Sequence, residues 1–129
     1  MYICGMDIET IREYCLSLPL TTEDMAFGDD ILLIRVCDKI FACVNLEGDK
    51  YLTLKCDPDY AIELRDRWAD IAPAWHWNKK YWNQLRLAGD VPDTLILSLI
   101  RHSYSQVVAK LPRRLKIEHP EITGISINS

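Results

Sequence analysis

Hydrophobic and polar positions along this chain follow two different periods, and the switches between them outline its elements. From Met6 to Leu18, the residues Ile8, Ile11, Tyr14, Cys15 and Leu18 recur at three- and four-residue steps, the spacing of one helix face. Asp7 and Glu9 stand near the start, where a helix dipole favours negative charge, and Pro19 ends the pattern. Thr21 to Asp30 is polar and acidic and reads as a loop around Phe27-Gly28. Three short runs of strand character follow: Ile31–Val36, Ile40–Leu46 and Tyr51–Cys56. Asp38-Lys39 and Glu47-Gly48-Asp49 separate them at hairpin length, which predicts an antiparallel meander.

A second helix is expected after Asp57-Pro58, with Asp57 as its cap, Pro58 in its first turn, and Tyr60, Ala61, Leu64 and Trp68 as its apolar stripe. After Ile71-Ala72-Pro73 comes a block from Ala74 to Trp82, in which Asn78 can cap one helical turn, Lys79 to Trp82. Gln84 to Leu87 alternates and predicts a fourth strand, closed by Gly89-Asp90. The longest helix is expected over Pro92–Lys110, where Leu95, Leu99, Ile100, Tyr104, Val107, Val108 and Leu111 form a wide core-facing stripe. Pro112 stops it, Arg113-Arg114-Leu115-Lys116 follows as a basic tail, and His119 to Ser129 is expected to fray. Together these elements describe a single α+β domain over residues 1–129. Its compact part is expected at about 6–112, with 1–5 and 113–129 as terminal extensions.

Composition narrows the class without naming a function. The chain is 49% hydrophobic and 26% charged, ordinary for a globular domain, and no apolar run approaches the roughly 20 residues that cross a bilayer. No membrane partner is expected, and without a signal-like start the expected location is cytoplasmic. The five cysteines include no C-x-x-C pair, so buried reduced thiols are expected rather than a zinc or redox site. Net charge is −4 but uneven, with −8 over residues 1–70 and +4 over 71–129. An acidic chain is a poor general binder of nucleic acid, although a local basic face can still serve.

The candidate chemistry concentrates in Trp75-His76-Trp77-Asn78-Lys79-Lys80-Tyr81-Trp82, which holds three of the four tryptophans. Aromatic planes stack on bases or apolar ligands, and paired ammonium groups attract phosphate. Trp82 is expected as a core anchor. In extended backbone Trp75 and Trp77 project to one side, where they can pack on the last helix, and His76 projects to the other. Lys79 and Lys80 follow Asn78 at a possible helix start, where they can hold a phosphate or carboxylate or remain a solvated pair. Further basic candidates are Lys55, Arg86, Lys110, Arg113, Arg114 and Lys116. The last three either contact phosphate or simply complement a helix C-terminus.

Several motifs in order resemble the MmcQ/YjbR family. They are Phe27-Gly28, Lys39-Ile40-Phe41-Ala42, Leu54-Lys55-Cys56-Asp57-Pro58, the pattern H-x-N-K-x-x-W at His76, Asn78, Lys79 and Trp82, and Ser103-Tyr104. The resemblance spans about residues 6–112. It implies a two-layer sandwich similar to frataxin and CyaY, with helices on one face of an antiparallel sheet, and DNA binding through a double-wing sheet. At Tyr81 the family commonly carries histidine, and Trp75 and Trp77 stand where smaller residues are usual.

The expected function is accordingly non-catalytic binding of DNA, with Trp75, His76, Asn78, Lys79, Lys80, Arg86, Arg113, Arg114 and Lys116 as contact residues. A protein adaptor or small-molecule module using the block 75–82 is the alternative. No cofactor or metal is expected: an iron-binding acidic ridge would need a compact carboxylate cluster, and Glu9, Glu13, Glu23 and Asp24 do not form one by spacing. No G-x-S-x-G, P-loop or H-E-x-x-H motif is present, so no enzyme is expected.

Overall fold

A computed structural model describes residues 7–124 of the chain. The expected lead-in of residues 1–5, including Cys4, lies outside the described residues, as do Met6 and residues 125–129. Helix α1 spans Ile8–Leu16 and starts where Asp7 Oδ1 accepts the Thr10 N–H at 2.8 Å, the cap that its acidic first turn announces. Ile11 and Cys15 bury its inner face.

The acidic stretch that reads as loop from Thr21 is instead an edge strand over its first four residues. Strand β1 (Thr21–Asp24) pairs antiparallel with β2 (Ile31–Val36), from Thr21 opposite Val36 to Asp24 opposite Leu33. Charge replaces the missing apolar pattern. Glu23 accepts from Arg12 of α1 at 2.6 and 2.7 Å, and Asp24 accepts from Arg35 of β2 at 2.6 Å. The meander then runs as expected through β3 (Lys39–Asn45) and β4 (Tyr51–Lys55). The β2–β3 turn is Cys37-Asp38, both at positive φ (48° and 69°), as a two-residue hairpin connection requires.

Helix α2 (Pro58–Arg67) is capped by the Asp57 carboxylate, which accepts from Asp59 and Tyr60 N–H at 3.2 Å each. Two further strands follow, the short β5 (Ile71–Pro73) and β6 (Trp82–Arg86). The sheet order is β1-β2-β3-β4-β6-β5, antiparallel throughout. Register places Leu32 opposite Val44, Ala42 opposite Leu54, and Leu52 opposite both Val44 and Leu85, so these side chains share the face that the helices cover.

Helix α3 (Asp93–Ala109) crosses that face and buries Ile96, Leu99, Ile100, Tyr104, Val107 and Val108. Tyr104 meets Phe41 edge-on at 5.3 Å between ring centroids, and its O–H donates to the Pro19 carbonyl at 2.6 Å. Residues after Pro112, expected as extensions, continue the fold. Helix α4 (Arg113–Glu118) is followed by a 3-10 turn, Pro120–Thr123, whose Ile122 is 1% exposed and belongs to the core. One apolar side chain in the right register suffices to hold a stretch that is polar on average.

Candidate functional site

A defect in the sheet creates the site. The β2–β3 register shifts between Ile34 and Arg35, so that Ile34 faces Ala42 while Arg35 faces Ile40, and Phe41 is the extra residue of a bulge. The β3–β4 ladder stops at Ala42 opposite Leu54. Beyond it, the buried hydroxyl of Ser103 on α3 stands between the two strands. It donates to the Phe41 carbonyl at 2.6 Å and accepts from the Lys55 N–H at 2.9 Å, satisfying two groups that the interrupted ladder leaves unpaired. Its neighbour His102 accepts from the Asp57 N–H at Nε2 (3.1 Å), fixing the start of α2.

Where the strands separate, a cleft of about 520 Å³ opens between the β2–β3 turn, the ends of β4 and β6, and the C-terminal turn of α3. Val107 and Leu111 give it an apolar lining; Lys39, Lys55, Lys110 and Arg35 bring positive charge, and Trp82 contributes a ring. Arg35 is neutralised by Asp24, and Asp38 contributes the lining's one carboxylate. Among the described residues no ion pair involves Lys39, Lys55 or Lys110. Burial and the nearby Lys110 ammonium hold the Lys55 amine below its ordinary value. Three lysines against the one Asp38 carboxylate leave the cleft with net positive charge, the electrostatic condition for attracting an anion.

Trp82 is not the core anchor expected of it. It opens β6 rather than a helical turn, pairs with Lys55 across the ladder, and is half-buried between the cleft and Trp77, whose ring lies 4.5 Å away between centroids. Trp77 in turn approaches Phe27 at 6.3 Å rather than packing on the last helix. The aromatic block as a whole is the β5–β6 loop, and its backbone turns rather than extends. Asn78 shapes that turn, accepting from Lys80 N–H at its side chain and from Tyr81 N–H at its carbonyl, both at 3.0 Å.

The other expected contact residues divide. Trp75 is 70% exposed, His76 is exposed, and the Lys79 and Lys80 ammonium groups lie over the Trp75 and Tyr81 rings at 5.4 and 5.6 Å. These four share one loop that leads directly into Trp82. Arg86 lies apart: it ends β6 opposite Tyr51, at the far end of the strand from Trp82, and faces Asp70 at 3.9 Å. Arg113 and Arg114 are exposed on α4, and Lys116 Nζ donates to the Ala109 carbonyl at 2.9 Å, countering the negative end of α3. The expected set is thus spread over a loop, a strand and a helix, with Arg86 at the opposite end of β6 from the loop.

What local sequence does not reveal is that Lys39, Lys55 and Lys110 line one cleft. Lys55 and Lys110 stood among the basic candidates, and Lys39 only as the start of a strand. They come from three elements, and only the hairpin register together with the length of α3 could have placed them side by side. The acidic residues of the suggested ridge are taken up otherwise, Glu23 by Arg12 and Asp24 by Arg35. The cysteines Cys15, Cys43 and Cys56 are buried and free, with thiols pushed up to about 12, 11 and 12 by desolvation.

The YjbR family model matches residues 16–106. The uncharacterised protein YjbR of Escherichia coli strain K12 is 33% identical over 108 residues, which cover 83% of this chain and 92% of that protein. The uncharacterised protein YbdF of Escherichia coli O157:H7 is 29% identical over 82% of this chain and 88% of its own length. Among solved structures, a Deinococcus radiodurans protein with a DUF419 domain matches with a TM-score of 0.83 and 33% identity, over 88% of each chain. A Pseudomonas syringae protein matches with a TM-score of 0.67 and 26% identity, over 76% of this chain and 96% of that one.

Proposed function

The chain belongs to the YjbR family, and we propose that it is a non-catalytic binding module that takes hold of DNA through phosphate, with the cleft at Lys39, Lys55, Lys110 and Trp82 as its principal contact. One observation carries this reading. Three lysines without carboxylate partners converge from β3, β4 and α3 beside a tryptophan ring, in a molecule whose overall charge is negative. A solvated surface scatters its lysines, whereas holding like charges together has an electrostatic cost that an incoming anion relieves. The β5–β6 loop extends the contact: Lys79 and Lys80 precede Trp82 in the chain, and Trp75 offers an open ring for a base to stack on. Two polar side chains of α3 are engaged in holding backbone. Ser103 bonds to backbone on both sides, and His102 accepts from a backbone N–H.

The test is fluorescence anisotropy with a fluorescein-labelled single-stranded DNA across 50–200 mM salt. Three lysine–phosphate contacts give a slope of log K against log salt of about −2, a loss of roughly 16-fold across that range. The double variant Lys55→Ala/Lys110→Ala, checked for folding by circular dichroism, should flatten the slope to about −1 or less. A salt-independent affinity in the unaltered protein sinks the reading. The exposed Phe27 and Trp75 favour the second reading, a protein-binding surface on the loop side. That reading predicts partner capture that Trp75→Ala abolishes and Lys55→Ala leaves intact.

A further inference from the structure

The shape of the cleft says more than that phosphate is welcome. A protein that tracks a nucleic-acid backbone sets its cations in a line, one per successive phosphate. Here several basic groups that would lengthen such a line are engaged elsewhere. Arg86 stands four residues along β6 from Trp82, roughly 13 Å away, and is committed to Asp70. Lys116 is bonded to the end of α3, and Arg35 to Asp24. Three cations that no carboxylate pairs, Lys39, Lys55 and Lys110, meet in one concavity whose 520 Å³ is the size of a small-ligand pocket.

Charge points the same way. An internal phosphodiester brings one negative charge, whereas a phosphate monoester brings about −1.5 to −2 at pH 7 and three acceptor oxygens. Three ammonium groups around one hollow match the second better than the first. Trp82 adds a planar wall beside them, backed by Trp77 at 4.5 Å and so held in place for a ring to lie against.

Resting on the DNA-binding reading above, we propose that the cleft is a seat for the terminal phosphate of a nucleotide, with the monoester held by Lys39, Lys55 and Lys110 and the attached base against Trp82. The ligand chemistry is a nucleoside monophosphate unit, either the phosphorylated end of a strand or a free nucleotide. Lys55 is the central contact, because Ser103 fixes its backbone at the mouth of the cleft.

The experiment compares 12-nucleotide DNA strands of one sequence carrying a 5′-hydroxyl, a 5′-phosphate or a 3′-phosphate, with deoxyadenosine monophosphate and deoxyadenosine as competitors. Affinity is read by anisotropy and by tryptophan quenching, with Trp82→Phe identifying the ring. A phosphorylated end should bind at least tenfold tighter than its hydroxyl twin, and Lys55→Ala/Lys110→Ala should erase that difference. Displacement by deoxyadenosine monophosphate at equal concentration, but not by deoxyadenosine, assigns the free nucleotide as the source; resistance to it assigns the strand end. Equal, salt-sensitive binding of hydroxyl- and phosphate-ended strands overturns this inference and leaves the DNA-binding reading standing. If no strand binds at all, both fall. The strand comparison uses the unaltered protein, so it stands even where the double lysine variant does not fold.

Discussion

Replacing Ser103 with alanine removes one oxygen and leaves two backbone groups without partners. The Phe41 carbonyl and the Lys55 N–H meet at that hydroxyl, at 2.6 and 2.9 Å, in a position with no exposure to water. Leaving a buried polar group unmade costs about 1–3 kcal/mol. The two groups face each other, so partial closure of the strand gap recovers some of this, and a net loss of about 2–4 kcal/mol is expected for Ser103→Ala. That is a large part of the roughly 5–15 kcal/mol that holds a domain of this size together. Urea unfolding followed by circular dichroism reads the loss as a lower midpoint at unchanged slope, with a melting temperature lower by roughly 10 °C. Amide exchange supplies a local signature, because the Lys55 N–H should lose protection well beyond its neighbours. A loss under about 0.5 kcal/mol with Lys55 protection unchanged would refute the view that Ser103 spans the break in the ladder.

Acid should loosen the molecule through His102. Burial holds its imidazole below the ordinary value, with Asp57 opposing more weakly, and its Nε2 must be unprotonated to accept the Asp57 N–H. A depressed folded value means stability that is present above the unfolded value of about 6.5 and lost as pH falls below it. Urea midpoints between pH 7.5 and 5 should therefore decline, and His102→Gln should flatten that decline; a pH-independent midpoint across this window speaks against it. Gly89→Ala should destabilise by about 1–2 kcal/mol, since a Cβ there would come within 2.2 Å of the Asp70 carboxylate that receives the Asp90 N–H. In an Asp70→Ala background the same change should cost less, and an equal cost in both backgrounds means the crowding lies elsewhere.

Periodicity exposed most of the fold. The three meander strands, α1, α2 and α3 lie within two residues of where apolar spacing puts them, because each buries one face against a shared core. β1 was hidden because its strand pattern is written in charge: Thr22, Glu23 and Asp24 are held by hydrogen bonding to an edge and by arginines on other elements, none of which a local window can see. β5, only three residues long, carries too few positions for alternation to show. Ile122 was missed for the opposite reason, a single apolar residue in a polar stretch that happens to reach the core.

The site was legible only in part. Of the block from Trp75 to Trp82, only the last residue lines the cleft. Its role was misjudged, since the size of a tryptophan argues for the core, while the Lys55 pairing and the Trp77 contact place this one beside a cavity. The charges that line the cleft come from positions 39, 55 and 110, with Arg35 paired to Asp24. Lysines so far apart in sequence are brought together by a β-bulge, a hairpin and the length of one helix, and nothing in their local context distinguishes them from solvated lysines.

An incoming phosphate is expected to land between Lys39, Lys55 and Lys110. Two-dimensional amide and indole NMR spectra, recorded while a phosphorylated DNA strand is titrated in, would locate the contact. The largest shifts should fall on the Trp82 indole N–H and on the amides of Lys39, Lys55, Val107 and Lys110, with smaller ones along Trp75 to Lys80. Shifts centred on Arg86 or on Arg113 and Arg114 with the cleft silent, or no shifts at all, would contradict that placement.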